Sequence, residues 1–180
     1  MSRCLVLAAG GTGGHLFPAE ALAAELIGGG SKVHLLSDTR TEAFAGQVAE
    51  IETHHVRAAQ LGGGAAHTAQ ALGELALGTL QARRLLRRLS PACVIGFGGY
   101  ASIPTMLAAV SLGLPTVIHE QNAVLGRANR LLAPRVRRIA TGVPATAGLR
   151  PADRARTLQT GNPVRPAVLN AAGSPNRFSR

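Results

Sequence analysis

The chain has 180 residues, 46% of them hydrophobic, which is enough for one domain with a sizeable core and excludes a disordered chain. Two cysteines, Cys4 and Cys93, each sit inside an apolar run, so neither a disulfide scaffold nor a cysteine zinc site is expected. The net charge is +10 and Lys32 is the only lysine among 19 basic residues, a balance compatible with an anionic membrane surface, phosphorylated substrates, nucleic acid or simple arginine bias.

Residues 3–9 (RCLVLAA) form a short apolar run that ends in glycines, the pattern of a buried parallel strand. Too little charge precedes it for a secretory signal, and no run reaches the ~20 apolar residues that span a bilayer. Leu16, Ala19, Leu22, Ala23, Leu26 and Ile27 fall at helical spacing, with Glu20 and Glu25 off that face and Pro18 in the first turn. Residues 32–37 (KVHLLS) read as a strand, 39–50 as a helix, and 51–57 as a strand.

Residues 60–66 (QLGGGAA) read as a loop and 68–89 as a long helix, rich in leucine and, late, in Arg83, Arg84, Arg87 and Arg88. Such a basic amphipathic helix suits an anionic membrane surface, and equally a solvated face. A strand at 92–97 leads to a second glycine turn, then a helix from Ser102, its expected N-cap. Strands at 115–119, 136–141 and 157–160 follow, with a helix at 122–132 between the first two. Residues 170–180 read as a linker or a frayed end. Alternating strands and helices define an α/β fold with a parallel sheet, whose ligands sit beyond the carboxyl ends of the strands.

Four turns fall at that edge: GGTGGH, GFGGY, HEQN and GNPVR. Gly10 to His15 follows a strand and opens a helix, where exposed N–H groups and the helix dipole favour anions. It is not a Walker A loop, for it lacks Gly-Lys. As a dinucleotide fingerprint it fails at Leu16, where a small residue is needed, although Asp38 stands where a ribose-binding acid would. Gly98, Gly99 and Tyr100 form the second turn, and two such turns in one sheet can converge on one diphosphate. His15 on the first turn and Glu120 after the later strand are both candidate bases, with Asn122 a candidate amide to a sugar or an N-cap.

In order and spacing, GGTGGHLFPAEALAAEL, GFGGYASIPTMLAAVSLGLP, HEQNAVLGRANRLLA and TGNPVR closely resemble the MurG family of peptidoglycan glycosyltransferases, over residues 3–168. The resemblance implies the N-terminal half of a GT-B fold, a Rossmann-like parallel sheet with flanking helices. It implies inverting transfer of N-acetylglucosamine (GlcNAc) from UDP-GlcNAc to the C4 hydroxyl of the muramoyl sugar of lipid I, giving lipid II. No cofactor, protein-bound metal or nucleic acid is implied. The place of work is the cytoplasmic face of the bacterial inner membrane, as a peripheral protein on an anionic surface.

By the resemblance, Thr12, Gly13, Gly14, Asn122 and Arg165 match donor-contacting positions. His15 matches a histidine near the acceptor, and Gly98, Gly99 and Tyr100 match a loop at the acceptor diphosphate. The expected division is an acceptor domain over residues 1–168 and a linker over 169–180, with the nucleotide-sugar domain missing and the chain incomplete as an enzyme by itself. The QLGGG loop lacks the basic residue usual in the family's acceptor loop. The alternatives are a non-catalytic lipid-diphosphate or membrane-docking module, and a nucleotide-dependent oxidoreductase domain using Asp38.

Overall fold

A computed structural model describes residues 3–39, 51–60, 64–165 and 168. Seven strands, β1 (Cys4–Ala8), β2 (Lys32–Ser37), β3 (Glu52–His55), β4 (Cys93–Gly96), β5 (Thr116–Glu120), β6 (Arg138–Thr141) and β7 (Thr157–Gln159), form one sheet. Every pairing is parallel and the spatial order is β3-β2-β1-β4-β5-β6-β7. The winding therefore reverses between β1 and β4, which opens a crevice at their carboxyl ends. The expected α/β architecture is the one found. The helix read at 39–50 lies outside the described residues, apart from Thr39.

The apolar runs are strands because both faces of the sheet are covered. Leu7 and Ala9 pack with Leu16, Ala19 and Ala23 of α1 (Gly13–Gly28) on one face. On the other, Val6, Ala8 and Val94 meet Ala82 and Leu86 of α2 (Ala65–Leu89), Met106 and Ala109 of α3 (Ser102–Ser111) and Leu132 of α4 (Arg127–Leu132). Burial of this kind contributes about 1.5–3 kcal/mol per large side chain relative to exposure.

Three local expectations are corrected. Ser102 is the first residue of α3, not its cap; Ala101 takes the cap position, and the Ser102 hydroxyl donates to the Gly99 carbonyl at 2.9 Å. The helix expected from Asn122 starts only at Arg127, capped by Gly126. Residues 122–126 instead form a loop, pinned by a parallel bridge between Val124 and Ala147 and by hydrogen bonds to Glu120. Glu20, placed by spacing off the apolar face of α1, is buried, and burial raises its pKa while the Arg165 charge opposes the rise.

A short helix the sequence did not announce, α5 (Pro151–Arg154), anchors the far edge. Its Asp153 is buried and accepts from Arg150 at 2.8 Å through both carboxylate oxygens, and from Arg156. The Arg150 hydrogen bonds, followed by those of Arg156, hold its pKa well below the usual carboxylate range. With the folded pKa below the unfolded one, the stabilisation is complete above about pH 4 and lost as pH falls further. Asp153→Asn therefore lowers the thermal midpoint at pH 7, and the gap from wild type narrows as melts are repeated towards pH 3.

Candidate active site

The crevice at the β1/β4 reversal is a cavity of about 300 Å³. Its walls are the two glycine turns, with Thr12 and His15 on one side and Gly98, Gly99 and Tyr100 on the other. Its floor is Glu120 with the start of α4, Gly126 to Asn129, and Gln60 closes one flank.

The first turn leaves β1 through Gly10 and Gly11, both at positive φ, and enters α1 one turn earlier than the apolar spacing suggests. Thr12 is the extended N-cap and no side chain caps the helix, so first-turn N–H groups remain available to an anion. His15 thus lies in the first turn of α1. Gly13 packs its α-carbon towards the Phe17 ring, and a Cβ on Gly14 would lie 3.8 Å from Thr12 Oγ1, an ordinary contact.

The second turn fits against the first through its missing side chains. A Cβ on Gly99, at φ +74°, would lie 2.6 Å from the Gly10 carbonyl oxygen and 3.2 Å from His15 Cδ2. One on Gly98, at φ +90°, would lie 3.2–3.3 Å from His15 Cε1 and Nδ1 and from Asn129 Nδ2. Only glycine permits both the backbone conformation and the approach. His15 Nδ1 is buried at this contact and has no hydrogen-bond partner.

Glu120 is 1% exposed. Its Oε1 accepts from the Asn122 backbone N–H at 3.1 Å and from Asn122 Nδ2 at 2.9 Å. Its Oε2 accepts from the Gly126 N–H at 2.8 Å and from Asn129 Nδ2 at 2.9 Å. Four donors therefore hold the carboxylate and shape the loop that leads into α4. Asn129 also donates to the His119 carbonyl, while its own Oδ1 is buried without a partner.

His119 is satisfied on both sides: its Nε2 donates to the Gly161 carbonyl at 2.9 Å, and Nδ1 accepts from Gln121 at 3.2 Å. Burial lowers its pKa, against the Gly161 bond and the Glu120 charge, so the neutral ring that this pattern requires is favoured. Gln121 also donates to the Phe97 carbonyl, and Asn162 donates to the Gln121 carbonyl. The HEQN segment thereby ties the GFGGY and GNPVR turns together. Arg165 reaches back to α1, with its guanidinium 3.8 Å from the centre of the Phe17 ring.

Of the residues singled out in the sequence, Thr12, His15, Gly98, Gly99, Tyr100 and Glu120 line the crevice. Gly13, Gly14, Asn122 and Arg165 stand outside its lining, on the adjoining turns. Sequence reasoning missed Gln60, Arg127 and Asn129. For Asn129 the signal was a polar residue on the apolar side of a short helix; for Arg127, a base at a helix start. Asp38 is buried at the end of β2 and faces a different hollow, with His55 and Arg57.

A parallel sheet covered on both faces, with a crevice walled by two glycine turns where its winding reverses, defines a Rossmann-like α/β domain. The chain belongs to glycosyltransferase family 28: the family's N-terminal domain matches residues 5–141. It is 59% identical over 165 residues to a UDP-N-acetylglucosamine--N-acetylmuramyl-(pentapeptide) pyrophosphoryl-undecaprenol N-acetylglucosamine transferase of Rhodospirillum centenum, covering 92% of this chain and 44% of that protein. The like-named Rhizobium meliloti protein is 53% identical, over 95% of this chain and 46% of its own length. Among solved structures, Acinetobacter baumannii MurG superposes with a TM-score of 0.74 at 31% identity, covering 91% of this chain and 46% of that one. A UDP-GlcNAc 2-epimerase of Methanocaldococcus jannaschii, at 13% identity and a TM-score of 0.63, shares the fold alone. The chain thus spans about half the length of the relatives it matches.

Proposed function

We propose that this chain is the acceptor-binding half of an inverting transferase that moves GlcNAc from UDP-GlcNAc to lipid I, forming lipid II. The observation that carries the reading is His15, whose imidazole lines a crevice between two glycine turns. Residues 1–168 are the acceptor domain, and 169–180 are a linker or tail.

In this reading the muramoyl C4 hydroxyl lies beside the His15 imidazole. His15 accepts its proton as the oxygen attacks the anomeric carbon from the face opposite UDP. The new O4–C1 bond forms as the C1–O bond to UDP breaks, and the electron pair leaves on the diphosphate. The first-turn N–H groups of α1 and the Arg165 side chain stabilise that departing charge, as preorganised donors do. Gly98, Gly99 and Tyr100 hold the acceptor diphosphate, with Arg127 supplying charge from the crevice floor. Thr12, Gly13, Gly14 and Asn122 complete the donor's contacts on this side of the cleft. Glu120 acts by holding Asn122 and α4 in place.

No helix among the described residues is long and apolar enough to cross a membrane. On α2, Leu72, Leu77 and Leu80 are exposed close to Arg84, Arg87 and Arg88. That face supports peripheral seating on the anionic cytoplasmic leaflet, where about 1 kcal/mol per basic residue is available.

Calorimetric titration of the chain with a short-chain lipid I analogue tests the assignment. Saturable acceptor binding is expected, weakened at least tenfold by Gly99→Ala, with UDP-GlcNAc alone binding far less tightly. Tight UDP-GlcNAc binding with none of the acceptor would reverse the roles given to the two halves.

A further inference from the structure

Away from the crevice, β2 and the edge strand β3 bring together three side chains rich in lone pairs. The parallel register pairs His34 with Glu52 and Leu36 with His54, which places His34, Glu52 and His54 on one face of the sheet. His34 Nδ1 lies 3.0 Å from His54 Nε2. Glu52 Oε2 lies 3.4 Å from His34 Nδ1, and Glu52 Oε1 lies 3.6 Å from His54 Nε2. None of the three lines the crevice.

We infer that His34, Glu52 and His54 form a binding site for one divalent transition-metal ion of the zinc class, which joins the edge strand β3 to β2.

Geometry is the first argument. Zinc bonds of about 2.0–2.1 Å in a tetrahedron put neighbouring ligand atoms about 3.3 Å apart. His34 Nδ1 and His54 Nε2 stand 3.0 Å apart, each has a Glu52 carboxylate oxygen within 3.4–3.6 Å, and one ligand atom from each residue lies within 4.8 Å of the other two, so an ion enters with rotation of the exposed Glu52 side chain. Chemistry is the second. Two imidazoles and a carboxylate converge with few protons to share between them. A cation satisfies all three at once, where the hydrogen bond between the rings satisfies only one pair. His34 is 1% exposed, so packing restrains the ring, and its Nδ1 is turned to the cluster, 3.0 Å from His54 Nε2. A buried, immobile first ligand lowers the ordering cost of binding.

Access is the third argument. Glu52 has 56% and His54 21% of its side chain exposed, so the ion has a path from solvent. Two histidines and one carboxylate leave a fourth position for water. Lys32 Nζ, 3.7 Å from Glu52 Oε2, is a competing cation in an exposed pair that costs little to give up, and the Arg88 charge also acts on His54. The scarcity of cysteine has no bearing on a site of this composition.

The test uses the tag-free chain, stripped with chelator and titrated with Zn2+ by calorimetry and with Co2+ by its visible d–d absorption. One ion per chain is expected, with the band intensity of four-coordinate Co2+ and a raised thermal midpoint on Zn2+ addition. His54→Ala and Glu52→Gln, both at partly exposed positions that leave the core intact, each weaken binding at least about tenfold. His67→Ala, an exposed histidine on α2, leaves it unchanged. Absence of stoichiometric binding, or full affinity in both the His54 and Glu52 variants, overturns the inference.

Discussion

His15→Ala, in the chain joined by its nucleotide-sugar half, is expected to lower the transfer rate about 100- to 10,000-fold, the usual contribution of a positioned general base. The reason is geometric. His15 sits in the first turn of α1, its ring packed against the space that Gly98 and Gly99 leave empty and lining the crevice. Among the described lining residues, Glu120 is held by four donors and Arg127 is a permanent cation, which leaves the His15 imidazole as the candidate base. The ring is only half-buried, so its removal changes stability by roughly 1 kcal/mol and leaves the fold intact. Steady-state kinetics separate the outcomes. A fall in kcat with little change in KM for UDP-GlcNAc supports the base; unchanged kcat removes His15 from the mechanism.

Glu120→Ala is expected to cost stability first and activity as a consequence. Truncation takes the carboxylate acceptor from the Asn122 and Gly126 N–H groups and from Asn122 Nδ2, and leaves Asn129 Nδ2 with the His119 carbonyl alone. Hydrogen bonds to a charged group contribute about 1.5–3 kcal/mol each, so the loss of the set reaches roughly 3 kcal/mol or more. For a domain of this size the thermal midpoint falls by roughly 6–12 °C. The loop of residues 122–126 and the start of α4 lose their anchor, and with them Asn122, Arg127 and the crevice floor. Thermal melts beside kinetics distinguish this from a chemical role. Activity and midpoint fall together if Glu120 positions; loss of kcat at an unchanged midpoint would make it the base.

The contrast between these two residues marks how far the sequence could be read. Both stood out as polar groups at strand ends, and the sequence left both open as bases. What separates them is the count of donors around each, and those donors come from a loop and a helix packed by tertiary contact. The strands were legible because a parallel sheet buried on both faces needs continuous apolar runs, as in Leu5 to Ala9 and Val33 to Leu36. The glycine turns were legible because positive φ at Gly11, Gly98 and Gly99 leaves little choice of residue.

Where local rules met long-range partners, the local rule lost. Asn122 has the chemistry of an N-cap, yet Glu120 claims both its backbone N–H and its side chain. Ser102 caps nothing because the Gly99 carbonyl is within reach of its hydroxyl. Glu20 sits off the apolar face of α1 by spacing but is buried, with the Arg165 charge from the returning GNPVR turn acting on it. Asn129 was invisible for the same reason: its partners, His119 and Glu120, lie on a strand nine and ten residues back. The family relationship was legible because motifs at this spacing are chemical constraints on one crevice rather than on separate turns.

The most direct test follows GlcNAc from labelled UDP-GlcNAc onto lipid I in three reactions: this chain alone, a family nucleotide-sugar half alone, and the two together. The account predicts lipid II only in the third reaction, with its formation abolished by His15→Ala. Sustained turnover by residues 1–180 alone would contradict the claim that the crevice between the glycine turns is one half of a shared site.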